Sequence, residues 1–172
     1  MRFPLSASQP THDILRFVLR GHMIDVYEMV RFPAIRAYLT TSLPPSSPSN
    51  VHVRNLSPAC LRLAKEALAN AVYRIETNAE GLLHRHQGTW LTVRSCTRSA
   101  LVLLGAAIKV RISIRSGRGS EDGDGGGVEG EMLPERWREA VVRVLEMLRV
   151  WARESAHIER LRCVVERLVE LV

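Results

Sequence analysis

The sequence is short of four things, and each shortage narrows what the chain can be. Aromatic residues make up only 5% of its 172 positions, so a core has to be built mainly from aliphatic side chains. Lysine is almost missing: Lys65 and Lys109 are the only two among 24 basic residues, the rest being arginine. Cysteine occurs three times, at Cys60, Cys96 and Cys163, never at paired spacing. That pattern argues against a disulfide framework and against a multi-thiolate metal site, and it fits a reducing compartment. Long apolar runs are missing too. The most apolar stretch, 100–108, is half the roughly 20 residues a spanning helix needs and is bracketed by Arg98 and Lys109, so it reads as a buried core helix with no membrane role. The opening residues show no charged start followed by an apolar run of about 7 to 15 residues, so the nucleus, or alternatively the cytoplasm, is the expected location.

What is present fits a globular protein: 46% hydrophobic and 24% charged residues in a length most simply read as one domain. The net charge of +6 is unevenly spread. Residues 1–120 carry 16 basic and 6 acidic side chains, whereas residues 121–172 carry 8 basic and 12 acidic. A basic first part can attract phosphate or an acidic protein surface. Its arginines stand singly at near-helical spacing rather than in one tract, which reads as solvated helix faces.

Periodicity is helical throughout, and the fold class expected is all-α, an irregular bundle of about five helices. A first helix spans about 13–30, with Ile14, Leu15, Val18, Met23 and Val26 toward the core, until Pro33 interrupts it. Residues 34–39 then form a short second piece. The Pro- and Ser-rich segment 42–50 is a loop. Ser57-Pro58 is a strong helix start, a capping hydroxyl followed by a residue with no amide to lose. Leu61, Ala64, Leu68, Val72 and Ile75 follow on one helical face. Gly88-Thr89 opens the next helix with Thr89 as cap, continuing through Val93, Leu101, Leu104 and Ile108. Residues 111–115 alternate isoleucine with polar side chains but have no second strand to pair with, so they read as the frayed end of that helix.

The chain thus divides into a helical core segment at 1–116, a loop at 117–131 and a C-terminal helical hairpin at 132–172 of the same domain. The loop holds seven glycines with acidic residues among them, too polar to offset chain entropy and wrongly placed and charged for a phosphate cradle. After Pro134, Trp137, Val141, Val144, Leu148 and Trp151 share one helical face, and beyond Ser155 so do Ile158, Leu161, Val165 and Leu168. Glu135–Arg138, Glu139–Arg143 and Arg162–Glu166 are spaced as exposed ion pairs.

One block looks familiar. His84-Arg85-His86-Gln87-Gly88-Thr89-Trp90-Leu91, running on through Val93, Arg94, Cys96, Arg98 and Leu101, resembles a recurring block in the C-terminal helical regulatory region of fungal zinc binuclear cluster transcription factors. Leu133 to Val141 and Ile14 to Pro33 extend the resemblance over most of the chain. It departs from the family pattern at Gln87, where a second histidine is frequent, and in the glycine-rich stretch. The resemblance implies a nuclear, non-enzymatic regulator of transcription by RNA polymerase II with protein partners, in the transcription machinery or a related factor. Relatives carry a six-cysteine DNA-binding cluster that three scattered cysteines cannot supply, so sequence-specific DNA binding is not expected. A truncated product, a stand-alone module or a piece of a longer chain all suit this sequence.

The candidate positions are His84, Arg85, His86, Gly88, Thr89, Trp90, Arg94 and Arg98, each with a plainer alternative. His84 and His86 form the only tight imidazole pair. At i and i+2 they diverge on a helix, so a metal or a small His-based enzyme needs further groups brought in by folding, whereas a polar loop needs none. Cys96 lies among apolar neighbours and reads as an inert buried thiol. Trp90, Trp137 and Trp151 line an effector pocket or simply pack. Arg94 and Arg98, one turn apart, bind an acidic partner or cover the apolar stem beside them. No cofactor is expected.

Overall fold

The computed structural model describes residues 14–41, 56–79, 85, 88–115 and 132–172, with side chains from Leu19 onward. The loops expected at 42–50 and 117–131 lie outside the described residues. The described residues form five α-helices: α1 (Ile14–Thr40), α2 (Pro58–Asn78), α3 (Thr89–Arg115), α4 (Trp137–Trp151) and α5 (Ala156–Glu170). A single 3-10 turn, Ala152–Glu154, joins the last two. The all-α expectation holds.

Each start has a local cause. At α2, the Ser57 hydroxyl accepts from the Cys60 amide at 3.2 Å, with Pro58 in the first turn. At α3 the Gly88 carbonyl accepts from the Thr92 amide at 2.9 Å, which makes Thr89 the first helical residue rather than the cap. Residues 111–115 continue α3, with no strand among the described residues. At α5 the Ser155 backbone is extended and its carbonyl accepts from Glu159 at 3.0 Å.

Two expectations for α1 are corrected. Pro33 does not break it, since the helix runs through to Thr40. The cost of a proline is the amide that the Met29 carbonyl would have used. Met29 and Pro33 are both exposed, where water can donate instead, while Ala34, Ile35 and Tyr38 just beyond are buried and hold the last turns in place. Val26, expected on the core face, is 58% exposed; Ile24 takes the inner position.

All five helices share one core. Leu68 and Ile75 of α2, Leu103 and Leu104 of α3, Met147 and Leu148 of α4 and Val165 of α5 are fully or almost fully buried together. Burying each large aliphatic side chain stabilises by roughly 1.5–3 kcal/mol. The C-terminal hairpin therefore packs on the same core as the other helices. It is antiparallel, since Trp137 at its start and Val172 at its end line one cleft. Two polar ties fix it: Arg136 pairs with Glu76 at the end of α2 at 2.9 Å, and Arg111 of α3 donates to the Leu171 carbonyl at 2.7 Å. By length and composition α3 is long and apolar enough to cross a membrane, but half of its apolar window is buried inside this fold, as in a core helix.

Candidate functional site

Helix α2 is buried on a wide arc because it has two inner faces. Leu68, Val72 and Ile75 point into the common core. Ala67, Ala71 and Arg74, roughly 100° round the helix from them, form a second face between α1 and α3. Those two flanking helices run parallel: Glu28 meets Arg98 and Ser99, and ten residues on the Tyr38 carbonyl meets Lys109. They close on each other near Leu39 and Gly105, where a Cβ on the glycine would stand 3.6 Å from the leucine. Between these ends the small side chains of Ala67 and Ala71 leave the gap open. The result is a groove of about 460 Å³ lined by Met29, Phe32 and Ile35 of α1, the two alanines, and Ser99 and Val102 of α3. Met29 is 75% and Phe32 55% exposed, so the groove is open along the α1 rim.

Charge closes one end. Arg74, only 4% exposed, donates through Nε to Glu28 at 2.6 Å and through a terminal nitrogen to Asp25 at 2.6 Å. Arg98 pairs with the other Glu28 oxygen, and the Ser99 hydroxyl donates to Glu28 at 3.4 Å. Burial works against the charge on Arg74, but the hydrogen bonds and charges of Glu28 and Asp25 outweigh it and raise its pKa above the usual arginine value. Two arginines and two carboxylates leave the cluster neutral in sum. Arg94, one turn before Arg98, is exposed and makes no ion pair among the described residues.

The residues singled out from sequence separate into two places. Arg85 pairs with Glu154 and lies over the Trp151 ring at 5.9 Å, and Trp90 meets Trp151 edge-on at 5.7 Å between centroids. Arg85 and Trp90 thus seat the start of α3 on the end of α4 and the turn after it, and Thr89 beside them is buried. Arg94 and Arg98 lie further along α3, Arg98 at the groove. His84 and His86 lie outside the described residues. The three tryptophans do not share a pocket: Trp137 lines a separate cleft of about 200 Å³ with Leu104, Val141 and Val172. Of the ion pairs expected on the hairpin, Arg162–Glu166 forms, and Arg162 also holds Glu159 at 2.6 Å. Arg138 instead lies over the Trp137 ring at 5.0 Å.

Cys96 is fully buried, and burial is the main cause that pushes its thiol up to about 12, with the Glu28 charge adding to it against the opposing pull of Arg74 and Ser95. A thiol so held is no nucleophile at neutral pH. Among the described residues no group of three or more His, Cys, Asp or Glu side chains is placed to hold a metal ion.

The Asp25–Glu28–Arg74 cluster and the groove went unread in the sequence. Their signal was an arginine on the buried arc of α2, beside the i, i+4 alanine pair. No protein-family model matches the chain, and no curated protein or solved structure matches it either.

Proposed function

We propose that this chain is a helical protein-interaction module that regulates transcription without an enzymatic site of its own. The observation that carries the interaction reading is the open groove between α1 and α3. Met29 and Phe32 stand largely in solvent along its rim, beside a channel floored by the buried Ala67 and Ala71. Contiguous exposed apolar surface of this kind marks a contact face. The transcriptional part rests on the resemblance of the block from His84 to Leu101 to zinc-cluster regulators. A stand-alone binding module acting outside the nucleus is the second reading, favoured by the same groove. The enzyme reading gains nothing from Cys96, whose thiol is kept protonated by burial.

Fusing the whole chain to an unrelated DNA-binding domain upstream of a reporter tests the proposal. Reporter RNA is expected to change, and a fluorescently tagged chain to collect in the nucleus. Unchanged RNA together with exclusion from the nucleus would sink the transcriptional reading.

A further inference from the structure

We infer that the α1–α3 groove receives a short amphipathic helix of acidic character from a protein partner. The inference builds on the interaction reading above and names the partner's chemistry. Three observations lead to it.

The first is shape. A small-molecule site buries most of its ligand and holds its walls out of water. Here two wall residues, Met29 and Phe32, are more exposed than buried, and the floor is two alanines one turn apart. From Glu28 to Ile35 the α1 wall is about 10 Å long. That length suits two or three apolar side chains presented from successive turns of a helix, the usual way an amphipathic segment seats in such a channel.

The second is charge. Carboxylates at the groove are already engaged, since Glu28 serves Arg74, Arg98 and Ser99 at once. The cations are not used up. Arg98 is 58% exposed, pairs with Glu28 and stands 3.9 Å from Asp25, and Arg94 on the same face one turn away makes no ion pair among the described residues. Asp25 is 43% exposed there but already bonded to Arg74, so with Arg94 three arginines face two carboxylates and the polar end keeps a surplus of one positive charge. A carboxylate flanking the apolar anchors of a docking helix would meet Arg94 and share Arg98.

The third is pre-organisation. The Arg74 bridge to Glu28 and Asp25 fixes α1 relative to α2 at that end, and Lys109 fixes it to α3 at the other by donating to the Tyr38 carbonyl and lying 3.5 Å over the Tyr38 ring. The groove is held open by contacts that do not depend on an occupant, which lowers the cost of binding one.

The test is a selection from a display library of helical peptides of about 16 residues with randomised faces, run against the full chain. Enriched sequences are expected to carry apolar residues at i, i+3 or i+4 and i+7 with Asp or Glu beside them. Their binding should weaken about tenfold or more in Phe32→Asp and in Arg94→Glu, weaken with added salt, and survive Val150→Asp on the exposed face of α4. Both groove substitutions fall on exposed positions, so the thermal transition of each variant checks that it is folded. Enrichment without acidic bias overturns the inference, as does binding indifferent to Phe32→Asp. So does a wild-type dimer in sedimentation that Phe32→Asp dissociates, since the occupant would then be a second copy. A reporter effect without acidic-helix enrichment would remove this partner class and leave the module reading standing.

Discussion

The helices on either side of the shared core solve the same problem in opposite ways. In the α4–α5 hairpin the ion pairs stay at the surface: Val144, Met147, Leu148 and Val165 point inward, while Arg162 bridges Glu159 and Glu166 outside, where Val142, Val150 and Val164 also face water. In the α1–α2 pair the pattern is inverted in part. Arg74 sits inside with Glu28, while Val26, Met29, Val30 and Phe32 face water. A helix whose charges lie outside is finished by its own fold. One that buries an ion pair beside exposed apolar side chains is shaped by something besides folding, and here Met29 and Phe32 border the groove.

Breaking each side should therefore cost different amounts for different reasons. Arg74→Leu is expected to lower unfolding free energy by about 4 kcal/mol, because Glu28, largely buried, loses the cation that offsets its desolvation; urea titration measures it. A neutral result would mean that the α1–α2 side is held by apolar packing alone. Leu148→Ala in the hairpin should cost about 3 kcal/mol through lost burial and a residual cavity, again read by urea titration.

Alkali sharpens the contrast. The native Cys96 thiol titrates at about 12 and the unfolded one near 9.0, so between those values the unfolded chain has released a proton that the native chain keeps. Stability is unaffected by this group below pH 9 and falls as pH rises above it, by about 1.4 kcal/mol per unit. Cys96→Ala should remove that slope, and at pH 8 a thiol reagent should label exposed Cys163 well before Cys96.

The smallest effect belongs to the hairpin surface. Hydrogen bonds from Arg162 hold the Glu159 carboxyl below its usual range, so its contribution is present above the unfolded value and fades as pH falls through the lowered one. Both groups are solvated, and Arg162→Gln should shift the acid limb of the melting curve only slightly, and less in high salt.

Much of the fold was legible because its signals are local. Ser57-Pro58 fixed one helix start by backbone chemistry, and the Leu61 to Ile75 and Trp137 to Trp151 periodicities named the core faces of α2 and α4. Pro33 misled because its cost is also local, whereas the burial of Ile35 and Tyr38 that offsets it is tertiary. The groove was harder still. Arg98 could be picked out from sequence as a cation on α3, but its neighbours Glu28 and Phe32 lie some 70 positions away in the chain and join it only through the parallel packing of α1 and α3. The block from Arg85 to Trp90 attracted attention by its composition, and what the geometry accounts for there is the seating of Arg85 and Trp90 on Trp151.

The ion cluster also bears on how the chain reaches this arrangement. Helices adjacent in sequence make most of the packing, α1 with α2, α2 with α3 and α4 with α5, which gives mostly short loops to close and favours rapid folding. Glu28 is among the groups tied over longer stretches, to Arg74 across 46 positions and to Arg98 across 70. Contacts that span so much chain tend to form after the neighbouring helices have paired. Their loss would then appear in the unfolding limb of a chevron plot and leave the refolding limb nearly unchanged, making this cluster a latch on the native state and not part of the nucleus that builds it.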